Sequence, residues 1–299
     1  MPQEIFSYSN DHVLQKVSVT VLSDDPQPGY WVIFIHGGAW RDPSKTFADL
    51  AAAETLLCTA EPYTSTVLPH IAAFASIEYR LSAHPEHPQD PVATPPSQFR
   101  NARHPDHLAD VESALALLQG RYGFGERYVL VGHSCGATLA FQTVMRHLGG
   151  YDDHFRHRNL AQPSAILGVA GIYECRLLRD HFSGISAYQD LFEGAFGPDE
   201  TLWDAVSPAK VGSGFDGIQG GWTAGKLAVL AYSAEDELVD TSQAEAMEEA
   251  LRLWTSSASQ EETRRTVMLP VKGRHDEIWE KGEELARAIA FTLTELQKM

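Results

Sequence analysis

Residues 132–136 have the sequence Gly-His-Ser-Cys-Gly, a G-x-S-x-G pattern with a serine at its centre. The pattern follows the apolar run 128–131 and precedes a segment of helical composition, so it predicts a sharp turn between a strand and a helix. Such a turn holds a serine hydroxyl at the carboxyl end of a sheet, where ligands bind. Because the helix must pack close to the strand, we expect larger side chains at the glycine positions to clash. The pattern predicts that Ser134 is a nucleophile.

A serine nucleophile requires a histidine as base, and the histidine requires a carboxylate that orients it. In hydrolases with this turn, the order along the chain is serine, acid, histidine, each near a strand end. Among the 13 histidines, His275 alone follows the apolar run 227–232 and lies just after the last predicted strand. Asp236 is the favoured acid because its surroundings resemble the G-x-x-D-x-x-V spacing of these enzymes. Three competing carboxylates follow the same run: Glu235, Glu237 and Asp240.

A second motif follows the apolar run 31–35 and has the pattern HGGxW: His36, Gly37, Gly38, Ala39 and Trp40. Its small residues allow backbone amides to turn inward and approach a ligand closely. Amides placed in this way bind the negative charge of a tetrahedral intermediate, and the amide of Cys135 is the expected partner donor. We therefore predict an oxyanion hole at this loop, with His36 holding the loop in place and not transferring protons.

Strand-like runs alternate with helical segments, which indicates βαβ units and a mostly parallel sheet covered by helices on both faces. The predicted strands are 17–22, 31–35, 71–79, 128–131, 165–172, 227–232 and 266–269. The predicted helices are 46–60, 106–121, 135–148, 241–254 and 276–297. With no internal repeat and no linker, the pattern predicts a single α/β domain over residues 1–299.

Two stretches interrupt this alternation, at about 82–105 and about 173–226. The first contains six prolines, which exclude a helix or a central strand, and the second is glycine-rich, with short helices. Since each follows a strand that ends near the predicted nucleophile, we expect both to cover the mouth of the site. The alternative is that they decorate the surface or contact another subunit. Candidate substrate contacts at the mouth are Trp40, Tyr173, Glu174 and Trp279.

The composition argues against several classes of partner and site. With 23 basic and 40 acidic residues the formal net charge is −17, which does not suit nucleic acid or an anionic membrane surface. No run of apolar residues is long enough to span a bilayer, and the first residues lack the features of a signal or transit peptide. We therefore expect a cytoplasmic protein that acts on a small-molecule substrate. The oligomeric state stays open, with a homodimer as one option.

Neither a disulfide framework nor a metal site is expected. The three cysteines, at positions 58, 135 and 175, include no C-x-x-C pair. The histidine pairs at 84 and 87 and at 104 and 107 each flank a proline in a loop, so no rigid element presents them to a metal ion. The predicted chemistry requires no cofactor, since serine, histidine and aspartate supply its nucleophile, base and orienting group.

Taken together, the motifs resemble the kynurenine formamidases, most closely the fungal arylformamidases. The resemblance rests on HGGAW, on ASIEYRLS with the Pro-rich stretch that follows it, and on GHSCGATLAFQ, SAEDELVD and GRHDEIW. It extends over most of the chain. The general lipase and esterase branch more often has HGGG and GDSAGG, and this sequence departs from both patterns.

The resemblance implies an α/β-hydrolase fold and hydrolysis of N-formyl-L-kynurenine to L-kynurenine and formate. This reaction belongs to tryptophan catabolism by the kynurenine pathway, which can feed NAD biosynthesis. The resemblance also implies Ser134, Asp236 and His275 as a catalytic triad and the amides of Gly38 and Ala39 as oxyanion donors. Arg80, Glu174 and Glu237 are further candidates to anchor the amino acid tail. The competing hypotheses are a carboxylesterase or lipase-like hydrolase, and a non-catalytic binding protein on the same fold.

Overall fold

The computed structural model describes residues 3–22, 29–151, 160–211, 217–257 and 263–299. Within them, one sheet of eight strands runs through the molecule in the order β1-β2-β4-β3-β5-β6-β7-β8. The strands are β1 Glu4–Ser7, β2 Lys16–Val21, β3 Tyr30–Ile35, β4 Ile71–Ile77, β5 Tyr128–His133, β6 Ala165–Val169, β7 Leu227–Ser233 and β8 Arg265–Val271.

Six neighbouring strands of the sheet, in the spatial order β4, β3, β5, β6, β7 and β8, pair in parallel. The remaining two strands, β1 and β2, join the edge in antiparallel pairs. The predicted mostly parallel sheet is therefore confirmed. Every residue of β5 and β6 is buried, as expected for strands covered on both faces, and this is why their sequences are continuous apolar runs. The short edge strand β1 was not predicted, because its residues are largely exposed and carry no apolar pattern.

Helices cover both faces of this sheet, as predicted. The helices are α1 Ala51–Thr59, α2 Tyr63–Thr66, α3 Asp106–Tyr122, α4 Cys135–Gln142, α5 Cys175–His181, α6 Ser186–Phe196, α7 Glu200–Val206, α8 Pro208–Val211, α9 Ile218–Gly221, α10 Ser242–Ser256, α11 Glu277–Glu280 and α12 Glu283–Leu296. Short 3-10 helices occupy Phe47–Leu50, Leu68–His70 and Pro96–Gln98. Apolar side chains of α1 and α12 pack on one face of the sheet, and those of α3, α4 and α10 pack on the other.

The predicted helix over 276–297 is two helices, α11 and α12, separated at Gly282. That glycine has φ +75°, and a Cβ there would lie 2.6 Å from the backbone of Ala52 in α1. The close packing of α1 against this point therefore requires a glycine and ends α11. The sequence pattern does not reveal this break between α11 and α12, because the contact that causes it joins residues far apart in the chain.

The second interrupting stretch is more regular than its glycine content suggested. Helices α5 to α9 occupy most of it, while residues 212–216 lie outside the described residues. Two of its glycines, Gly184 and Gly197, lie between helices, and Gly197 has φ +83° at the end of α6. Glycines at such positions end helices and do not prevent them. The Pro-rich stretch, by contrast, contains only the 3-10 helix at 96–98.

Within the described residues, no helix combines the length and the apolar character needed to cross a membrane.

Candidate active site

Ser134 lies at the turn between β5 and α4 in a strained backbone conformation, with φ 54° and ψ −122°. Such strain is typical of a nucleophile at a strand-to-helix turn. The flanking glycines allow the turn because a Cβ at Gly132 would lie 2.3 Å from the carbonyl oxygen of Gly136. A Cβ at Gly136 would lie 2.2 Å from the carbonyl oxygen of Ile35 in β3. The clash expected from the sequence at both positions therefore follows from the observed packing.

The HGGxW loop lies directly against this turn. A Cβ at Gly37 would lie 3.0 Å from the Cβ of Ser134. The next three residues all have positive φ: 92° at Gly38, 50° at Ala39 and 59° at Trp40. Consecutive residues in this region turn the backbone sharply, and a concave run of amides of this kind is suited to binding an anion.

Buried side chains fix this loop from behind. The hydroxyl of Tyr79 donates hydrogen bonds to the carbonyl oxygens of His36, at 3.1 Å, and Gly37, at 3.2 Å. The amide of Trp40 donates to the thiol of Cys135 at 3.3 Å. Burial lowers the pKa of His36 to about 4, and its ring stacks on Tyr79 with 4.4 Å between ring centres. His36 is therefore neutral and fully buried, as expected of a residue that supports the loop.

Asp236 and His275 form a close, buried pair. Nδ1 of His275 donates to Oδ2 of Asp236 at 2.8 Å, and the side chains are 5% and 0% exposed respectively. The other carboxylate oxygen of Asp236 accepts the amides of Leu238 and Val239, each at 2.9 Å. Three hydrogen bonds thus fix the carboxylate, and it in turn fixes the orientation of the imidazole ring.

The three competing carboxylates have other positions. Glu237 accepts the backbone amide of His275 at 3.2 Å and pairs with Arg274 at 3.1 Å. Asp240 accepts the amide of Ser242 at 3.0 Å, at the start of α10. Glu235 is exposed. Among the described residues, Asp236 is therefore the carboxylate that contacts the imidazole ring.

Sequence reasoning missed His133, which supports His275 from the other side. Its Nε2 donates to the carbonyl oxygen of His275 at 3.2 Å, and the two rings lie 4.6 Å apart. Burial, and then the neighbouring His275, lower the pKa of His133, so that this ring stays neutral. The sequence placed His133 next to the nucleophile, inside the G-x-S-x-G pattern. The pattern accepts any residue at that position, however, so it does not show that His133 supports His275.

One group of potential metal ligands exists among the described residues. Atoms of His133, His275 and Asp276 lie within 4.8 Å of one another. Each of these side chains already has a protein partner, since Asp276 pairs with Lys45 at 3.0 Å and His275 with Asp236. A metal ion would have to displace these contacts, and the arrangement is better suited to orienting His275.

A cavity of about 350 Å³ opens beside Ser134 and His275. Gly38 and Ala39 of the HGGxW loop line it. Apolar side chains supply much of the wall: Ile172, Leu178, Ile185, Ala187, Tyr188, Leu191, Leu238 and Val239. Charged or polar side chains supply the rest: Arg41, Asp42, Lys45, His84, Glu237 and Asp276. Both interrupting stretches contribute, the first through His84 and the second through α5 and α6, so both approach Ser134 as expected.

The structure corrects the expected substrate contacts, because the cavity wall includes none of Trp40, Tyr173, Glu174 and Trp279. Trp40 is fully buried, with its ring edge-on to Phe196 at 5.0 Å. Tyr173 is also buried. Its hydroxyl packs so closely on β6 that a Cβ at Gly168 would lie 2.0 Å from the hydroxyl oxygen. These two aromatic side chains are core residues beneath the site. Their sequence positions near strand ends do not decide on which side of the backbone a side chain lies.

The other two candidates lie just outside the wall. Glu174 pairs with Lys210 at 3.4 Å. Trp279 donates its indole N–H to Asp276 at 3.1 Å, and the ammonium of Lys45 lies 4.7 Å from its ring centre. Trp279 therefore supports two charged residues of the cavity without facing it.

The comparison with known proteins decides the family. No protein-family model matches the chain. A kynurenine formamidase-like hydrolase of Fusarium equiseti is 42% identical over 280 residues, which cover 92% of this chain and 86% of that protein. A kynurenine formamidase of Aspergillus versicolor is 35% identical over 291 residues, with 91% of each chain covered. The chain belongs to the kynurenine formamidase family. The resemblance found in the motifs is thereby confirmed, and this family member is a hydrolase.

Solved structures show the fold of this kynurenine formamidase family member. Esterase B of Lactobacillus rhamnosis superposes with a TM-score of 0.66 at 17% identity, covering 99% of this chain and 86% of that one. A thermophilic esterase of Thermogutta terrifontis superposes with a TM-score of 0.58 at 18% identity, covering 98% and 90%. At these identities the similarity concerns the fold alone. It confirms the predicted α/β-hydrolase class.

Proposed function

We propose that the protein hydrolyses N-formyl-L-kynurenine to L-kynurenine and formate, a step of tryptophan catabolism by the kynurenine route. The observation that carries this proposal is the cavity that Ser134 and His275 share, with Asp236 2.8 Å behind the imidazole. Its volume of about 350 Å³ suits a small aryl amide, and its apolar wall suits the aromatic ring. The relatives named kynurenine formamidase supply the identity of that amide.

In the first step, Oγ of Ser134 attacks the formyl carbon, and Nε2 of His275 takes the hydroxyl proton. The new C–O bond converts the carbonyl into a tetrahedral oxyanion. Asp236 stabilises the imidazolium that forms and keeps Nδ1 protonated throughout. The C–N bond then breaks as His275 returns the proton to the departing aryl amine, which releases L-kynurenine and leaves a formyl ester on Ser134.

The oxyanion requires donors that are in place before the reaction begins. The amides of Gly38, Ala39 and Cys135 are the proposed donors, since the first two line the cavity and the third follows the nucleophile. In related sites the loss of one such donor costs about 3 kcal/mol of transition-state stabilisation. The hydrogen bonds of Tyr79 and of the Cys135 thiol hold this loop rigid, so little reorganisation is required.

In the second step, His275 takes a proton from a water molecule as that water attacks the formyl ester. His275 then returns the proton to Oγ of Ser134 as the C–O bond to the serine breaks, which releases formate and restores the hydroxyl. The acyl group carries only a hydrogen atom, so it requires little space beside the HGGxW loop. The larger part of the cavity is then left for the leaving amine. The apolar residues of the wall supply contacts for the aromatic ring of that amine.

Steady-state kinetics with purified protein test the proposal. We expect kcat/KM for N-formyl-L-kynurenine to exceed that for 4-nitrophenyl acetate, although the ester is chemically easier to cleave. The preference arises because the aryl amide fills the cavity and the small ester does not. The reverse preference, with negligible turnover of the formamide, would instead indicate an esterase of other small esters.

A further inference from the structure

A second cavity of about 350 Å³ adjoins the first, and Arg41 and His84 line both. The Pro-rich stretch forms most of it, and Asp190 of α6 completes the lining. The mechanism above does not use this space. Since the two cavities share Arg41 and His84, a ligand bound in the first cavity can extend toward the second.

Arg41 is a half-buried cation without a carboxylate partner. Among the described residues its guanidinium makes no hydrogen bond and no ion pair, and burial lowers its pKa. Of the other cations near the two cavities, Lys45 pairs with Asp276 at 3.0 Å and Arg80 pairs with Asp110 at 2.8 Å. Arg100 lines the second cavity alone and donates to the carbonyl oxygen of His87 at 2.8 Å, although its buried Nε has no hydrogen-bond partner. A desolvated and unpaired guanidinium is energetically unfavourable unless an anion binds to it. Among the described residues, Arg41 is thus the arginine without a carboxylate partner that lines both cavities.

Asp190 supplies the opposite charge at the exposed edge of the second cavity. It is close enough to Arg41 to favour the charged guanidinium, yet the two form no ion pair. A cation and an anion that face one space without neutralising each other match a ligand group that carries both charges. An α-amino acid is such a group, since its ammonium and its carboxylate share one carbon atom.

We propose that the second cavity is a subsite for a zwitterionic α-amino acid tail, in which Arg41 binds the carboxylate and Asp190 the ammonium. The identity of the attached aryl amide rests on the proposed function. The apolar wall of the first cavity selects the aromatic ring, and the charges of the second cavity select the amino acid. A guanidinium and a carboxylate form paired hydrogen bonds of defined geometry, which makes this contact selective.

Two variants and two substrates test the subsite. The substrates are N-formyl-L-kynurenine and 2-formamidoacetophenone, which has the same formyl-aryl ketone but no amino acid tail. We expect Arg41→Gln to lower kcat/KM for the first about tenfold or more, mainly through KM, because it removes a charge-assisted contact. The second should change by less than about twofold. Asp190→Asn should show the same selectivity with a smaller loss, since Asp190 is more exposed.

Arg103→Gln is the matched control. Arg103 belongs to the same Pro-rich stretch and is exposed, but it lines neither of the two cavities. This variant should leave both substrates nearly unchanged. An equal loss on both substrates in Arg41→Gln would assign Arg41 a structural role and overturn the proposal. So would no loss on either substrate, or an equally selective loss in Arg103→Gln.

A further assay separates this proposal from the function proposed above. L-kynurenine should competitively inhibit hydrolysis of 4-nitrophenyl acetate, and Arg41→Gln should raise its inhibition constant about tenfold. If the wild type cleaves the ester but not N-formyl-L-kynurenine, the proposed function fails while this inhibition still decides the subsite. No inhibition of the wild type, or equal inhibition constants in both proteins, would overturn the subsite.

Discussion

Nδ1 of His275 lies 2.8 Å from Oδ2 of Asp236, while Glu237, the next residue in the chain, contacts only the backbone amide of the same histidine. Two adjacent carboxylates thus hold one residue in different ways. Asp236 fixes the ring and its tautomer, and Glu237 fixes the main chain that carries the ring. This relationship makes the acid of the site experimentally separable from its neighbour.

Replacing Asp236 with Asn should lower kcat by about 10⁴-fold with the fold intact, because the amide favours the wrong tautomer of His275. Glu237→Gln is the matched control, since its amide oxygen can still accept the His275 amide and the loss should stay below about tenfold. Steady-state kinetics and circular dichroism of both variants measure this. A larger loss in Glu237→Gln than in Asp236→Asn would reject Asp236 as the orienting acid.

Replacing Gly136 with Ala should destabilise the protein by about 3 kcal/mol, because a Cβ there would lie 2.2 Å from the carbonyl oxygen of Ile35. Gly120→Ala in α3 is the control, since a Cβ there meets no atom within 4 Å. The control should stabilise the protein by about 0.5–1 kcal/mol through helix propensity. Urea unfolding measures both, and equal stability of the two variants would contradict the packing described at the turn.

The buried, neutral His107 should make stability depend on pH. Burial lowers its pKa from 6.5 to about 3, so between these values the unfolded chain binds one proton more than the folded protein. The free energy of unfolding should therefore fall as the pH drops below 6.5, with a contribution of about 1.4 kcal/mol per pH unit. His107→Gln should remove that contribution from the slope, whereas His70→Gln, at an exposed position, should not. Urea unfolding between pH 4 and pH 7 measures the slopes, and equal slopes in the wild type and His107→Gln would contradict this account.

The sequence predicted the strands at the centre of the fold well, because β5 and β6 are buried on both faces and have continuous apolar sequences. The sequence also predicted that Ser134, Asp236 and His275 lie close together, because each follows a parallel strand and the carboxyl ends of these strands lie at the same edge of the sheet. Elements stabilised by contacts between distant residues were harder to predict. The break at Gly282 depends on α1, and the edge strand β1 depends on its pairing with β2.

The substrate side of the site was predicted least well. Aromatic residues near strand ends were expected to line the pocket, but Trp40 and Tyr173 point into the core. The apolar wall comes instead from α5, from α6 with Ile185 just before it, and from Ile172, Leu238 and Val239. Arg41 follows the HGGxW motif directly, yet nothing in the sequence shows that its guanidinium lacks a carboxylate partner. Such information depends on which side chains meet in space.

Turnover of N-formyl-L-kynurenine by the wild type, Ser134→Ala and Cys135→Ala tests the central claim most directly. The wild type should release L-kynurenine and formate, and Ser134→Ala should lose about 10⁴-fold or more of kcat because the nucleophile is gone. Cys135→Ala keeps the backbone amide and removes a buried thiol, whose pKa burial raises to about 11, together with its hydrogen bond from the Trp40 amide, so it should retain activity within about tenfold. No turnover by the wild type, or a Ser134→Ala variant as active as Cys135→Ala, would contradict the account.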